Sequence, residues 1–316
     1  MKILVTGGSG FIGSHVVDKL LEAGHNIAVV DDLSNGRPEN LEHIKDKITI
    51  HKVSIRSEEL DSVFEKEKPE VVYHLAAHID VRKSVEDPEY DANINVLGSI
   101  NMMQCAKKHG VKKIIYSSTG GAIYGDTKNI PSPETESPDA ICPYGVSKYC
   151  VERYLYLYKY LHKIDYTVLR YANVYGPRQD PLGEAGVVAI FIGNTLQGKD
   201  CRINGDGKQT RDYVFVGDVA RANLMALTAK TEHNIFNIAT GKETDVNELF
   251  SSISTQVEKL SGKKTKSFHA QAIPGEVLRS CLDVTRAKQD LGWTPQVSIQ
   301  EGIKKTAEFF MEQQKK

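Results

Sequence analysis

Short apolar runs that end in polar turns recur along the first 170 or so residues. They alternate with stretches whose apolar positions come round every three or four residues. Ile3, Leu4 and Val5 form the first run, which reads as a parallel strand buried on both faces. Ile12, Val16 and Leu20 follow at helical spacing over 11–24, and a second apolar run, 27–30, ends at Asp31. Further strands are predicted over 48–53, 71–75, 113–117 and 166–170, with helices over 58–67, 90–109 and from Pro143 onward. This alternation predicts an α/β fold, a doubly wound parallel sheet of the Rossmann kind. From about residue 176 the texture changes. Pro177, Pro181, Gly183 and Gly186 punctuate a loop, and shorter elements follow: helices near 187–197 and 219–227, strands at 202–204 and 235–238. A last helix over 298–311 puts Ile299, Ile303, Ala307 and Phe310 on one face. Two unequal parts are expected: 1–175, and a smaller mixed α/β C-terminal lobe, 176–316, that holds a substrate. Some chain crosses between them, with no flexible linker.

Composition narrows the partners. The 316 residues carry 40 Lys and Arg against 41 Asp and Glu, a net charge of −1, which argues against nucleic acid or an anionic membrane surface. No apolar stretch approaches the length of a membrane span, and MKILV is too short for a signal peptide. Cysteines 105, 142, 150, 201 and 281 lack C-x-x-C pairing and read as reduced thiols of a cytoplasmic protein. His74 and His78 share the four-residue step of some zinc sites. They start at a strand end without the accompanying Glu, so no metal is expected.

The first candidate chemistry is the glycine turn between the first strand and helix. Gly7 permits the tight turn, Gly10 lets a pyrophosphate approach bare backbone, and Gly13 lets the helix pack against the strand. The helix N-terminus offers amide N–H groups and positive dipole to phosphate. Asp31 is placed to accept from a ribose hydroxyl and to repel a 2′-phosphate, which predicts NAD and not NADP. The competing interpretation is a structural turn with Asp31 merely solvated. Ala76 and Ala77, just past the fourth strand, leave room for a ligand across the sheet.

The second is Tyr144-x-x-x-Lys148, with Thr119 upstream at the end of the fifth strand. Residues four apart on a helix share a face, so a phenol and an ammonium are held together. A free phenol, with a pKa of about 10, is a poor base near neutrality. A cation ~5 Å away at an effective dielectric of ~20 is worth about 3 kcal/mol, or roughly two pKa units. Bound NAD⁺ adds further positive charge. Tyr144 is then able to take a sugar-hydroxyl proton while hydride leaves the same carbon, and Thr119 holds that hydroxyl. A surface Tyr–Lys pair is the alternative; the glycine turn and the preceding Ser117-Ser118-Thr119 favour chemistry. Tyrosines 154, 156, 158 and 160 read as core or subunit interface.

Gly7, Gly10, Gly13, Asp31, Leu75-Ala76-Ala77, Asn95, Ser117-Ser118-Thr119, Tyr144, Lys148 and Arg170-Tyr171-Ala172-Asn173 occur in the order found in the extended short-chain dehydrogenase/reductase family. The chain resembles its nucleotide-sugar enzymes of the UDP-glucose/galactose 4-epimerase type nearly end to end. GDGKQTRDYVFVGDVA, PGEVLRS and LGWTP carry the likeness into the C-terminal lobe. The resemblance implies tightly held, recycled NAD, a UDP-sugar substrate and a homodimer through the helices near 90–109 and 144–162. It places Phe11 and Ile12 at the pyrophosphate, and Asp31, Asp32, Leu33, Ser34, Asn35 and Gly36 around the adenosine. Ser54, Ile55, Leu75, Ala76, Ala77, Asn95, Ser117, Tyr144, Lys148 and Tyr171 make the remaining cofactor contacts. It gives Asn173 and Arg211 the diphosphate, Val188 the uracil and Glu276 the uridine ribose, with Arg279 and Arg178 as weaker candidates. Bottom-up chemistry agrees for Arg211, since a guanidinium is a bidentate phosphate partner.

Three departures matter. Ser54 stands where many relatives have an acid at the adenine, and Ile273 where they often have arginine. Thr119 is followed by Gly120-Gly121, where 4,6-dehydratases and UDP-glucuronate decarboxylases carry a carboxylate, which favours simple epimerisation. Ser280 occupies the position of a tyrosine that narrows the pocket in relatives rejecting N-acetylated sugars, so UDP-GlcNAc and UDP-GalNAc are expected to fit. Decarboxylation, net reduction, epimerisation at another carbon, and a non-catalytic NAD-sensing module are the alternatives.

Overall fold

The structure, a computed structural model, describes residues 1–181, 186–272 and 277–314. The chain begins as its apolar pattern predicts. β1 (Lys2–Thr6) leads through the glycine turn to α1 (Phe11–Glu22) and back to β2 (Asn26–Val30). A 3-10 helix then covers Pro38–Lys47, with proline in its first turn, where no N–H is required. β3 (Thr49–His51) is shorter than the predicted 48–53, because the Val53 N–H turns back to the His51 carbonyl. α2 (Glu59–Glu67) and β4 (Val71–His74) follow. The predicted helix 90–109 is preceded by α3 (Val81–Glu86) and divides into α4 (Pro88–Ala92), a π turn over Asn93–Leu97, and α5 (Gly98–Lys108). Asp80 and Asp87 cap α3 and α4 by accepting backbone N–H groups in the first turn of each. Next come β5 (Lys113–Thr119), the single turn α6 (Gly120–Ile123), the long α7 (Pro143–His162) and β6 (Asp165–Tyr171).

Beyond β6 the elements shorten: β7 (Asn173–Tyr175), α8 (Val187–Leu196), β8 (Cys201–Asn204), β9 (Thr210–Arg211) and β10 (Tyr213–Phe215). α9 (Val216–Thr228), β11 (Ile235–Ile238), β12 (Thr244–Asp245), α10 (Val246–Ser261), β13 (Ser267–Ala270), α11 (Thr285–Asp290) and α12 (Ile299–Gln313) complete the chain.

Seven parallel strands form the central sheet in the order β11-β6-β5-β4-β1-β2-β3. Chain order reverses between β1 and β4, which opens a crevice at their carboxyl ends. Ile3 and Val5 face the layer of α1 and α9, while Leu4 and Val30 face α2, α5 and α7. The sheet's last strand, β11, comes from the C-terminal part, and α9 packs on α1. A single cut after residue 175 therefore does not separate two bodies, because segment 216–238 returns to complete the sheet. The smaller lobe gathers α8, α10 and α12 around Phe191, Ile192, Leu249, Ile253, Ile303 and Phe310, so the predicted stripe on the last helix is buried at Ile303, Ala307 and Phe310 and half-buried at Ile299.

Candidate active site

The crevice at the switch point is a cleft of about 700 Å³. Its floor starts at the glycine turn. Gly7 has φ +71°, and a Cβ there would lie 2.6 Å from the Ala76 nitrogen; one on Gly13 would lie 2.0 Å from the Gly7 carbonyl oxygen. Both positions therefore require glycine for close packing. Gly10, Phe11, Ile12 and Gly13 line the cleft, and α1 begins with no side-chain cap and no acid in its first turn. Its first-turn amides are left to serve an anion.

At the end of β2, the nearly buried Asp31 accepts the Ser9 N–H at 2.9 Å and the Leu33 N–H at 3.0 Å. Burial pushes its pKa up against those two bonds. Gly36 is required beside it, since a Cβ there would fall 2.5 Å from Asp31 Oδ1. Asp31, Asp32, Ser34, Asn35, Gly36, Ser54 and Ile55 all line this end of the cleft. Leu33 does not: in a left-handed turn (φ +61°), it uses its N–H to hold Asp31.

Across the sheet, Leu75, Ala76, Ala77, Ser117, Thr119, Tyr144, Lys148, Tyr171, Asn173 and Val188 line the other end. Lys148 is buried and donates to the Ser117 carbonyl at 2.8 Å. Its Nζ lies 5.9 Å from the centre of the Tyr144 ring and 4.8 Å from that of Tyr116. Burial lowers its pKa to about 8, against the charges of Asp91 and Glu152. Ser117, Ser118 and Thr119 at the end of β5 all line the cleft, and alternation along the strand sends the Ser118 hydroxyl to α7. The Ser118 hydroxyl donates to Glu152 at 2.7 Å, and Glu152 is paired with Arg170 at 2.6 Å, which ties β5, β6 and α7 together. A Cβ on Gly120 would collide with Leu282, while one on Gly121 would point to Asn173 Oδ1 and Thr119 Oγ1 at 3.7 and 3.9 Å. Neither position supplies a carboxylate.

His74 is not placed as a metal ligand. Its Nε2 donates to Ser99 Oγ at 2.8 Å, since the Ser99 hydroxyl is itself spent on the Asn95 carbonyl. Its Nδ1 then accepts from Thr6 Oγ1 at 2.7 Å. Burial, and next the Lys148 charge, lowers its pKa to about 3. Among the described residues, no group of three or more His, Cys, Asp or Glu is arranged to hold a metal ion.

Besides Leu33, four expected positions differ. Asn95 is buried behind the wall, where it accepts the His78 N–H at 2.8 Å and donates to the His78 carbonyl at 2.9 Å. It shapes the loop after β4 and does not line the cleft. Arg211, Arg279 and Ser280 do not line the cleft; they share one strip, with Arg211 paired to Thr244, and Arg279 and the Ser280 N–H to Thr210. Arg279 gives its guanidinium to Glu243 at 3.0 and 2.6 Å. Arg178 lines the cleft and pairs with Asp18 at 2.7 Å. Ile273 and Glu276 lie outside the described residues. The cleft also takes in Arg37, Lys83, Tyr90, Gln179, Asp180 and Tyr213, which sequence reasoning missed. Of these, Lys83 had a signal, in the first turn of a helix capped by Asp80 just past the fourth strand.

Comparison with known proteins agrees with this geometry. The UDP-glucose 4-epimerase of Mycolicibacterium smegmatis is 45% identical over 312 residues, covering 98% of each chain. The crystal structure of the Thermotoga maritima UDP-glucose 4-epimerase with UDP-glucose has a TM-score of 0.93 at 48% identity, covering 99% of this chain and 100% of that one. That of the Thermus thermophilus UDP-glucose 4-epimerase with NAD has a TM-score of 0.91 at 40% identity, covering 98% and 99%. Residues 3–239 match the NAD dependent epimerase/dehydratase family, and the chain belongs to that family.

Proposed function

We propose that this protein is an NAD-dependent epimerase acting at C4 of a UDP-hexose, interconverting UDP-glucose and UDP-galactose. One observation carries the reading. Thr119, Tyr144 and Lys148 line one cleft at the carboxyl ends of the central strands, together with an uncapped helix N-terminus and the carboxylate of Asp31. The uncapped turn and the glycine cradle suit a pyrophosphate, and Asp31 suits an unphosphorylated ribose. Bound there, NAD⁺ supplies the acceptor for the C4 hydride and the donor that returns it, so the sugar passes through a 4-keto form.

The chain's own residues do the rest. Tyr144 takes the 4-hydroxyl proton and later gives it back, and Thr119 orients that hydroxyl. The Lys148 ammonium beneath Tyr144 stabilises the phenolate. Asn173 and Arg211 hold the diphosphate, and Val188 packs near the uracil. The sugar end faces Gly121 and small hydroxyls, which leaves a 4-keto ring room to turn about its diphosphate. Ser280 in place of a bulkier side chain extends the substrates to the N-acetylamino sugars.

We further propose a homodimer through α5 and α7, which expose Leu97, Tyr156, Leu157, Tyr160 and Leu161 at or beside these helices. Cysteines 105, 142, 150, 201 and 281 are unpaired, which supports a reducing, cytoplasmic setting that cell fractionation would test. The function is tested by incubating the purified protein with UDP-galactose without added cofactor. UDP-glucose is the expected product; an unchanged substrate or released NADH would each overturn the reading, as would CO₂ released in a parallel incubation with a UDP-uronate.

A further inference from the structure

Asp91 is fully buried, yet none of the roles above uses it. It lies in α4, just before the π turn, and its two oxygens serve different elements. Oδ2 accepts the Ser147 hydroxyl at 2.6 Å, on the turn of α7 that carries Tyr144 and Lys148. Oδ1 accepts the Asn95 amide at 2.9 Å and faces His78 Nδ1 at 3.4 Å. Asn95 in turn fixes both backbone groups of His78. One carboxylate thus braces the Tyr–Lys helix and the loop that follows β4.

Its charge matters as much as its bonds. The buried Lys148 ammonium donates to the neutral Ser117 carbonyl and rests over the Tyr116 ring, and neither carries a balancing charge. Two carboxylates act on it, Asp91 and Glu152. Glu152 is already matched, since Arg170 holds it at 3.0 and 2.6 Å. Asp91 is met by a hydroxyl, an amide and an imidazole nitrogen. The other titratable groups acting on this cluster are His74 on β4, Tyr116 on β5, and Tyr144, Cys142 and Cys150 at α7. Burial holds His74 down to about 3 and pushes Tyr116, Cys142 and Cys150 up, so none of these four supplies an anion near neutrality.

We propose that Asp91 is a positioning residue of the epimerase site, which seats the Ser147 turn and balances the Lys148 ammonium inside the protein. The proposal rests on the epimerase reading and its use of Tyr144 with Lys148. Burial pulls the Lys148 pKa down, and Asp91 opposes that fall more than Glu152 does. Activity that needs the ammonium declines as pH rises through the Lys148 pKa. Loss of the Asp91 charge lowers that pKa further and moves the alkaline limb of kcat to lower pH.

The test is the pH profile of kcat with UDP-galactose, on NAD-loaded enzyme, for Asp91→Asn, Asp91→Ser, Asp91→Glu and Ser147→Ala. The two neutral variants should shift the alkaline limb down by about one pH unit. Asp91→Glu, which keeps the anion, and Ser147→Ala, which removes a bond but no charge, should leave the limb in place. An unmoved limb in the neutral variants, or an equal shift in Ser147→Ala, would overturn the proposal. So would a case in which Asp91→Glu folds and neither neutral variant does, since Asp91 would then be structural. Wild-type enzyme that epimerises nothing would instead defeat the functional reading beneath it.

Discussion

Asp31 and Gly36 illustrate what single residues contribute. The carboxylate takes its place from two backbone donors, and position 36 must lack a Cβ for the loop to close over it. The carboxylate was legible in the sequence, as the acid at the tip of a second strand. The need for Gly36 was not, because it depends on how the loop folds back. Likewise, helical spacing gives Tyr144 and Lys148 a common face, but the burial that lowers Lys148 to about 8 depends on β4, β5 and α4 packing around it. Arg279 is only a weaker phosphate candidate by resemblance, and its partner Glu243, 36 positions away, was not legible in the sequence. Ser280 follows Arg279 on the strip that pairs with Thr210. Ser280→Tyr should lower kcat/KM for UDP-GlcNAc relative to UDP-galactose by about tenfold or more, since added bulk is felt by the larger sugar. An unchanged ratio of the two values would remove Ser280 from substrate selection.

At the scale of elements, the long apolar periods predicted the parallel strands and most helices. Two-residue strands such as β9 and β12 leave no period to read. α10 escaped prediction for a different reason. Its buried face of Val246, Leu249, Ile253 and Val257 is regular, but Ser251, Ser252, Ser254 and Thr255 dilute its helical propensity. The Asp245 cap, which accepts the Glu248 N–H, was the available signal. The π turn at Asn93–Leu97 was not legible, and it sets Asn95 behind the wall of the cleft. Helix α7 has one face in the site and leaves Leu157 and Leu161 exposed at 44% and 61%. Apolar side chains one turn apart on an open face call for a partner. The wild type should sediment at twice its 35.1 kDa chain mass, and Leu157→Glu with Leu161→Glu should shift it toward the single chain. A wild-type monomer would refute the dimer.

For the molecule as a whole, the decisive arrangement is a sheet completed by a strand from the C-terminal part. β11 beside β6, and α9 against α1, bind that part to the first without a linker. The segment after β7 is then clamped over the cleft. His15 Nε2 donates to the Pro177 carbonyl at 2.9 Å, Arg178 pairs with Asp18, and Arg37 pairs with Asp180. Such contacts join residues more than a hundred positions apart, so composition and periodicity could not reveal them. The result is one cleft with a glycine turn and an uncapped helix N-terminus at one end and a phenol beside a buried ammonium at the other.

The claim that this phenol moves the proton is tested most directly by Tyr144→Phe, with kcat and bound NAD measured on the same preparation. The variant should keep its NAD and lose kcat by about 10²–10⁴-fold. Turnover equal to that of the wild type would contradict the account.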